Sequence, residues 1–233
     1  MTVPHIGTLN EGSLHSSLKE LYAKPGDRFE VPMEGFVIDI VRNYGQSDEL
    51  LIEIQTGSFG AMGNKLDRLL TQRRMLIVHP IAIESILLKP GARPRRSPKK
   101  GNIYSLFDEL VSIPTMLDHP NLELEVVLVK VAKHQRRDSK ANRGRGGFRT
   151  EDRTLEAVIE THRFRTIRDL AKLVPKDLPD TFTTADLADT GVVSRDEAQR
   201  LAYCLKACGI FEPVKRTRAG THYRISASPD LFS

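Results

Sequence analysis

Apolar residues in the first ninety positions recur with two spacings, one typical of helices and the other typical of strands. Within residues 10–23, Leu14, Leu18 and Leu21 recur every three to four positions, which predicts an amphipathic helix. Residues 36–55 contain two apolar runs separated by a polar turn with one glycine, and this pattern predicts a β-hairpin. The predicted order is α, β, β, β, α, β. It includes a short strand at 28–31, a second helix within 58–74 and a central strand at 75–83 that continues into residues 85–89.

The second half of the chain shows other patterns. A helix interrupted at Pro114 is predicted at 104–117, and an apolar strand at 122–132. Residues 134–147 are polar, basic and rich in glycine, which is typical of a boundary between domains. The elements predicted beyond it are a helix at 152–164, a short helix capped by Thr183 or Thr184, a longer helix capped by Ser194 and ended by Gly209, and a hairpin with a basic turn.

The C-terminal order of elements resembles a winged helix-turn-helix over roughly residues 151–227. A chain of 233 residues is long for one compact domain and sufficient for two small ones. We therefore expect a first domain at 1–133, a basic flexible linker at 134–150 and a winged-helix domain at 151–233.

Two acidic residues interrupt the apolar runs of the predicted hairpin, Asp39 in the first run and Glu53 in the second. If the hairpin folds about Gln46, Asp39 lies across from Glu53, and Gln55 returns to the same face. Two carboxylates buried side by side are costly unless a cation neutralises them, so the pattern predicts a divalent metal site. The alternative is a hairpin whose acids face solvent. Against that alternative, apolar residues share the face of the acids: Val37, Val41 and Leu51.

An aspartate, a short hairpin and then E-x-K, preceded by an acidic helix, form the signature of the PD-(D/E)xK nuclease superfamily. The chain resembles this superfamily over roughly residues 9–88, with Asp39 and Glu53-Ile54-Gln55, and is similar to its restriction endonucleases that use E-x-Q. The stretches PGDRFEV, FVIDIV and LLIEIQTG also resemble an uncharacterised group of microbial proteins.

The superfamily resemblance implies an α/β fold, with a restriction-endonuclease-like mixed β-sheet flanked by helices and followed here by the C-terminal winged-helix domain. It implies hydrolysis of phosphodiester bonds with Mg²⁺ (or Mn²⁺) held by Asp39 and Glu53. These hard cations take carboxylate oxygens and keep several waters. It also leaves a homodimer open, because many nucleases of this superfamily act as dimers so that both strands are cut.

A third carboxylate is implied by the resemblance and comes from the first helix, where Glu11 and Glu20 compete. We choose Glu11 because it lies beside the apolar stripe, whereas Glu20 projects away from it. The alternative for Glu11 is an acid favoured in the first turn by the helix dipole. His15, one turn later, is a candidate for a phosphate contact, with simple packing as its alternative.

Gln55 stands where the superfamily has lysine, and it is neutral. It can orient water by donating and accepting hydrogen bonds, but it cannot supply positive charge. Lys65, on the predicted second helix, is a candidate to supply that charge. The departure at Gln55 also leaves open a degenerate domain that binds without cutting.

Positive charge is concentrated in three clusters, at residues 93–100, 133–149 and 215–218, although the net charge is only +5. Such clusters suit a polyanion, because each phosphate contact releases counterions. Solvated linkers are the alternative. The predicted DNA-binding residues lie early on the longer C-terminal helix (Arg195, Gln199 and Arg200) and on the turn of the hairpin (Lys215, Arg216 and Arg218). A winged helix used for protein contacts is the alternative.

No signal peptide and no apolar run long enough to span a bilayer are visible in the sequence, so we expect no membrane partner. Cys204 and Cys208 can build neither a disulfide framework nor a zinc set, which indicates a cytoplasmic protein. The leading prediction is a metal-dependent endonuclease that acts on duplex or branched DNA. The alternatives are a non-catalytic DNA-binding regulator and an adaptor with a degenerate nuclease fold.

Overall fold

The computed structural model describes residues 12–138, 140, 147–218 and 220–226. A mixed seven-stranded sheet forms its centre, with the main path β1-β2-β3-β4-β6-β7 and the short β5 paired to β4. The strands are β1 (Arg28–Met33), β2 (Phe36–Arg42), β3 (Leu50–Ile54), β4 (Arg74–Leu88), β5 (Arg95–Arg96), β6 (Leu122–Arg137) and β7 (Phe148–Phe164). β1, β2 and β3 are antiparallel neighbours, β3–β4 and β4–β6 are parallel pairs, and β6–β7 is antiparallel. The predicted α/β class with a mixed sheet is confirmed.

Helices cover both faces of the sheet because each presents an apolar stripe. On one face, α1 (Ser13–Tyr22) buries Leu14 and Leu18 against strand residues such as Ile52. On the other face, α2 (Gly63–Leu69) buries Leu66 and Leu69 and makes the crossover between the parallel strands β3 and β4. The predicted first and second helices are therefore confirmed, the second over fewer residues.

β4 and β6 are long because their apolar runs are nearly continuous, as expected for strands covered on both faces. The segment between them contains the short helix α3 (Phe107–Leu110), flanked by single 3₁₀ turns at Ile103–Leu106 and Met116–Asp118. The helix predicted at 104–117 is thus present only as a short, interrupted element. No helix of the described residues is long and apolar enough to cross a membrane.

The C-terminal elements are α4 (Ile167–Ala171), α5 (Thr184–Asp189), α6 (Arg195–Ala207), β8 (Phe211–Thr217) and β9 (Gly220–Ile225), and β8 pairs with β9 in a separate two-stranded sheet. The side chains of Thr183 and Ser194 cap α5 and α6, as predicted. Gly209 follows α6 with φ +73°, a backbone conformation that favours glycine. The apolar core of these elements is continuous with the α2 face of the sheet.

The helix predicted at 152–164 is wrong, because these residues form β7 and pair with β6 along its length. Leu155, Val158 and Ile159 have helical spacing, yet only Leu155 packs against the core, while Val158 is 39% and Ile159 is 48% exposed. β6 is a buried strand whose backbone groups need a partner, and pairing with β7 satisfies them. That tertiary demand outweighs the local spacing.

The boundary predicted at residue 151 therefore falls inside β7, which continues to Phe164. The predicted linker at 134–150 is partly strand, since β6 runs to Arg137 and β7 begins at Phe148. Residues 139 and 141–146 of that segment lie outside the described residues.

Candidate functional site

Asp39 and Glu53 come together at the point where β2 and β3 separate. The register pairs Ile40 with Ile52 and Val41 with Leu51, so the hairpin folds about Gln46 as predicted. The next step along both strands brings Asp39 across from Glu53. Oδ2 of Asp39 accepts a hydrogen bond from the Ile54 main-chain N–H at 2.8 Å, so a carboxylate caps the end of β3.

Asp39 is stabilised in its charged form. His15 Nε2, on α1, lies 3.2 Å from Asp39 Oδ2, which makes it the second contact of that oxygen. Burial alone would raise the pKa of Asp39, but the hydrogen bonds from His15 and from the Ile54 N–H hold it below its ordinary value. Asp39 is therefore a carboxylate throughout the neutral pH range.

Glu53 has a different environment. Lys65 Nζ, on α2, lies 2.6 Å from Glu53 Oε1 and also donates to the Val37 carbonyl at 2.8 Å. Glu53 Oε2 is buried and has no hydrogen-bond partner among the described residues. Burial and the negative charge of Asp39 raise the pKa of Glu53, and Lys65 and a hydrogen bond from the Asp39 main-chain N–H oppose them. The pair thus contains one fixed charge and one acid with an unsatisfied oxygen.

Gln55 takes part in a different set of contacts. Its side-chain Nε2 donates to the Ser58 carbonyl at 2.6 Å, in the connection after β3. Its main-chain oxygen accepts from His79 Nδ1 at 2.8 Å. His79 is buried on β4, and burial lowers its pKa, so its ring is neutral there. The sequence prediction missed His79; its polar ring within the apolar run MLIVHPIAI was the available signal.

The donor set fits Mg²⁺ only in part. The described residues contain no group of three or more His, Cys, Asp or Glu arranged to hold a metal ion. Glu11, the predicted third ligand, lies outside the described residues, and Glu20 is exposed. Two neighbouring carboxylates, one with a buried free oxygen, suit a hard cation that keeps several waters.

A cleft of about 280 Å³ opens between α1 and β7. His15 lies on its wall, so the cleft reaches the side chain that contacts Asp39. The opposite wall is held in place by Asp152, whose carboxylate accepts hydrogen bonds from the Ser13 hydroxyl and main-chain N–H. Its lining residues are Gly12, Leu14, His15, Thr56 and Thr150–Arg153.

The predicted DNA-binding residues of the C-terminal part lie in two places. Arg195 and Gln199 are exposed on α6, and the hairpin cations Lys215, Arg216 and Arg218 are exposed as well. Arg200 instead forms an ion pair with Asp108 of α3, next to a hydrogen bond from Asn102 to Glu197.

The exposed stripe of α6 continues beyond the predicted residues. Tyr203, 56% exposed, and Lys206 follow Arg195 and Gln199 at helical spacing. The sequence prediction missed these two residues, although the step of three to four positions from Gln199 leads to them. The stripe contains two cations, an amide and an aromatic ring.

Comparison with known proteins places the chain in a family without assigning an activity to it. A protein of Treponema pallidum (strain Nichols), described as "Uncharacterized protein", is 30% identical over 191 residues, which cover 80% of this chain and 74% of that protein. A search of solved structures gives no significant match. The model of the family described as "Domain of unknown function (DUF8091)" matches residues 12–165, from the start of α1 to the end of β7. The chain belongs to this DUF8091 family.

Proposed function

We propose that the protein is a metal-dependent DNA endonuclease that hydrolyses phosphodiester bonds. The observation that carries the proposal is the Asp39–Glu53 pair, in which a buried carboxylate oxygen lacks a partner while Lys65 lies against the other oxygen. An unsatisfied buried acceptor beside a second carboxylate is costly, and a bound divalent cation removes that cost.

The arrangement of the strands supports the same proposal. Three antiparallel strands, β1 to β3, are followed by a helical crossover to the parallel strand β4, the order expected for a restriction-endonuclease-like fold. Both acids lie near the carboxyl end of β3, the edge at which ligands of open α/β sheets bind.

In this proposal each residue of the pair has a separate role. Asp39 provides the permanent negative charge that holds Mg²⁺ (or Mn²⁺), and Glu53 provides the free oxygen. Mg²⁺ supplies activation of water and stabilisation of the charge that develops on the phosphodiester. Lys65 supplies the positive charge that Gln55 cannot, from a different element of the fold. Gln55 donates one amide N–H to the Ser58 carbonyl, and its amide oxygen and second N–H are the groups that would orient water.

The C-terminal elements position the DNA in this proposal as a winged helix. The capped α6, with Arg195, Gln199, Tyr203 and Lys206 on its exposed stripe, is the candidate recognition helix. The basic β8–β9 hairpin is the candidate wing. Arg200 contributes to the attachment of α6 to α3 rather than to DNA.

The test is incubation of the protein with supercoiled plasmid, single-stranded DNA and branched DNA in Mg²⁺ or Mn²⁺. Cleavage should occur in the wild type and be lost in Asp39→Asn and Glu53→Gln. Asp67→Asn is the matched control, because Asp67 is an exposed acid on α2 and the change in charge is the same. Binding of DNA with no cleavage of any substrate, whether or not the binding requires metal, would instead favour a DNA-binding regulator or adaptor.

A further inference from the structure

Three cations are aligned across the far end of the long strands. Arg95 of β5 pairs with Leu87 of β4, Leu87 pairs with Lys133 of β6, and Lys133 pairs with Arg153 of β7. Residues directly opposite one another project from the same sheet face. Since neighbouring strands are about 4.8 Å apart, the row from Arg95 to Arg153 spans about 14 Å. We call Arg95, Lys133 and Arg153 the cationic row.

The cationic row lies on the face of the sheet that α1 covers. Lys133 is two residues from Val131, and Arg153 is two residues from Leu155, so each pair shares a face. Val131 belongs to the apolar cluster formed with α1, and Leu155 packs against that cluster. The row therefore extends the α1 face beyond the apolar core.

The charges of the row are not neutralised by acids of the described residues. No residue of the row forms a salt bridge with an acid of the described part of the chain. Lys133 is half-buried, and burial, Arg153 and Lys99 lower its pKa. At the other end of β6 and β7 a cation is neutralised, since Arg163 lies 2.8 Å from both Glu123 and Glu125. Uncompensated like charges at one end indicate a site for an external anion.

The cleft extends from Arg153, at one end of the row, to His15 on α1. Arg153 and His15 line the same cleft, and His15 contacts Asp39. An extended polyanion that lies along the row and enters the cleft therefore reaches His15, the side chain that contacts Asp39. The distance of about 14 Å along the row corresponds to roughly four nucleotide steps of one DNA strand, at 3.4 Å per step.

We propose that the cationic row binds the phosphate backbone of DNA and that the cleft beside His15 guides it to Asp39 and Glu53. This inference rests on the proposed function for the identity of the polyanion. It assigns backbone binding to the sheet, in addition to the C-terminal hairpin. Backbone contacts of this kind are independent of base sequence and depend strongly on salt.

The experiment measures binding of the full chain to a labelled DNA duplex in metal-free buffer, over a range of salt concentrations. The variant Lys133→Gln/Arg153→Gln should weaken binding at low salt by on the order of tenfold or more. It should also reduce the slope of log K against log salt by about 2, since each phosphate contact contributes about 0.9. The control Arg68→Gln removes one exposed arginine from α2, on the opposite face, and should bind as the wild type does.

Removal of repelling charges should leave the melting temperature of the double variant unchanged or higher, so weaker binding would not reflect unfolding. An unchanged affinity and salt slope in the folded double variant would overturn the inference. Row-dependent binding to vesicles with anionic lipid, without row-dependent binding to DNA, would overturn it too. If the wild type never cleaves DNA but binds it more tightly than the double variant does, the inference is supported and the endonuclease is rejected. If the wild type cleaves DNA but the double variant binds DNA equally tightly, the endonuclease is supported and the inference is rejected.

Discussion

Replacement of Lys65 by methionine tests the electrostatics of the carboxylate pair directly. The side chains of Lys65 and Glu53 are only 11% and 14% exposed, so their ion pair is largely buried. Removal of one partner from a buried pair costs about 3–5 kcal/mol, because the remaining charge is left uncompensated. The pair keeps some exposure, and Glu53 can take up a proton when Lys65 is absent. We therefore expect Lys65→Met to lower the free energy of unfolding by about 3 kcal/mol at pH 8, near the lower limit of that range.

The loss should depend on pH with a definite sign. The pKa of Glu53 is already raised in the folded protein, so the folded state binds the proton more tightly than the unfolded chain does. The free energy of unfolding therefore falls as pH rises through the folded-state pKa. Without Lys65 this pKa rises further, so Lys65→Met should cost less than about 1 kcal/mol at pH 5, where Glu53 can stay protonated.

Urea unfolding of wild type and Lys65→Met at pH 5, 6, 7 and 8 measures this dependence. The double variant Lys65→Met/Glu53→Gln removes both charges and should recover most of the stability at pH 8. The control is Lys172→Met. Lys172 is 75% exposed in its pair with Asp169, so its loss should change stability by less than about 1 kcal/mol at any pH. Equal losses at pH 5 and pH 8, or no recovery in the double variant, would refute the reasoning.

Three further predictions follow from the site and the sheet. Mg²⁺ or Ca²⁺ should raise the melting temperature of the wild type and not that of Asp39→Asn, because a ligand that binds only the folded state stabilises it; equal shifts in a thermal melt would place the metal elsewhere. Glu11→Gln should reduce cleavage and Glu20→Gln should not, in a plasmid assay; the opposite result would make Glu20 the third ligand. Leu155→Ala should destabilise by about 1–3 kcal/mol and Ile159→Ala by less than about 0.5 kcal/mol in urea unfolding, because only Leu155 packs inside; equal losses would contradict the register of β7.

Local patterns predicted the hairpin and its register because a turn of fixed length determines which residues face one another. Asp39 opposite Glu53 follows from the fold about Gln46 alone. The contact of Lys65 with Glu53 depends on where a crossover helix lies on the sheet, and the sequence offered only a lysine on a helix. Similarly, β7 could not be predicted from its own residues, because its pairing is decided by β6, which ends at Arg137, before β7 begins at Phe148.

The extent of the family match separates the proposed chemistry from the proposed recognition of DNA. The match at residues 12–165 contains the carboxylate pair, Lys65, the cleft and the cationic row, while α6 and the β8–β9 hairpin lie outside it. The matched residues therefore include the carboxylate pair and Lys65, which are proposed to cut, and the cationic row, which is proposed to hold the phosphate backbone, while Glu11 precedes the match by one residue. Backbone contacts carry no sequence information directly, whereas a helix in the major groove reads base edges. Any preference for particular DNA sites is accordingly expected to come from α6, and replacement of its exposed Arg195 and Gln199 by alanine should broaden the sites that are cut without abolishing cleavage.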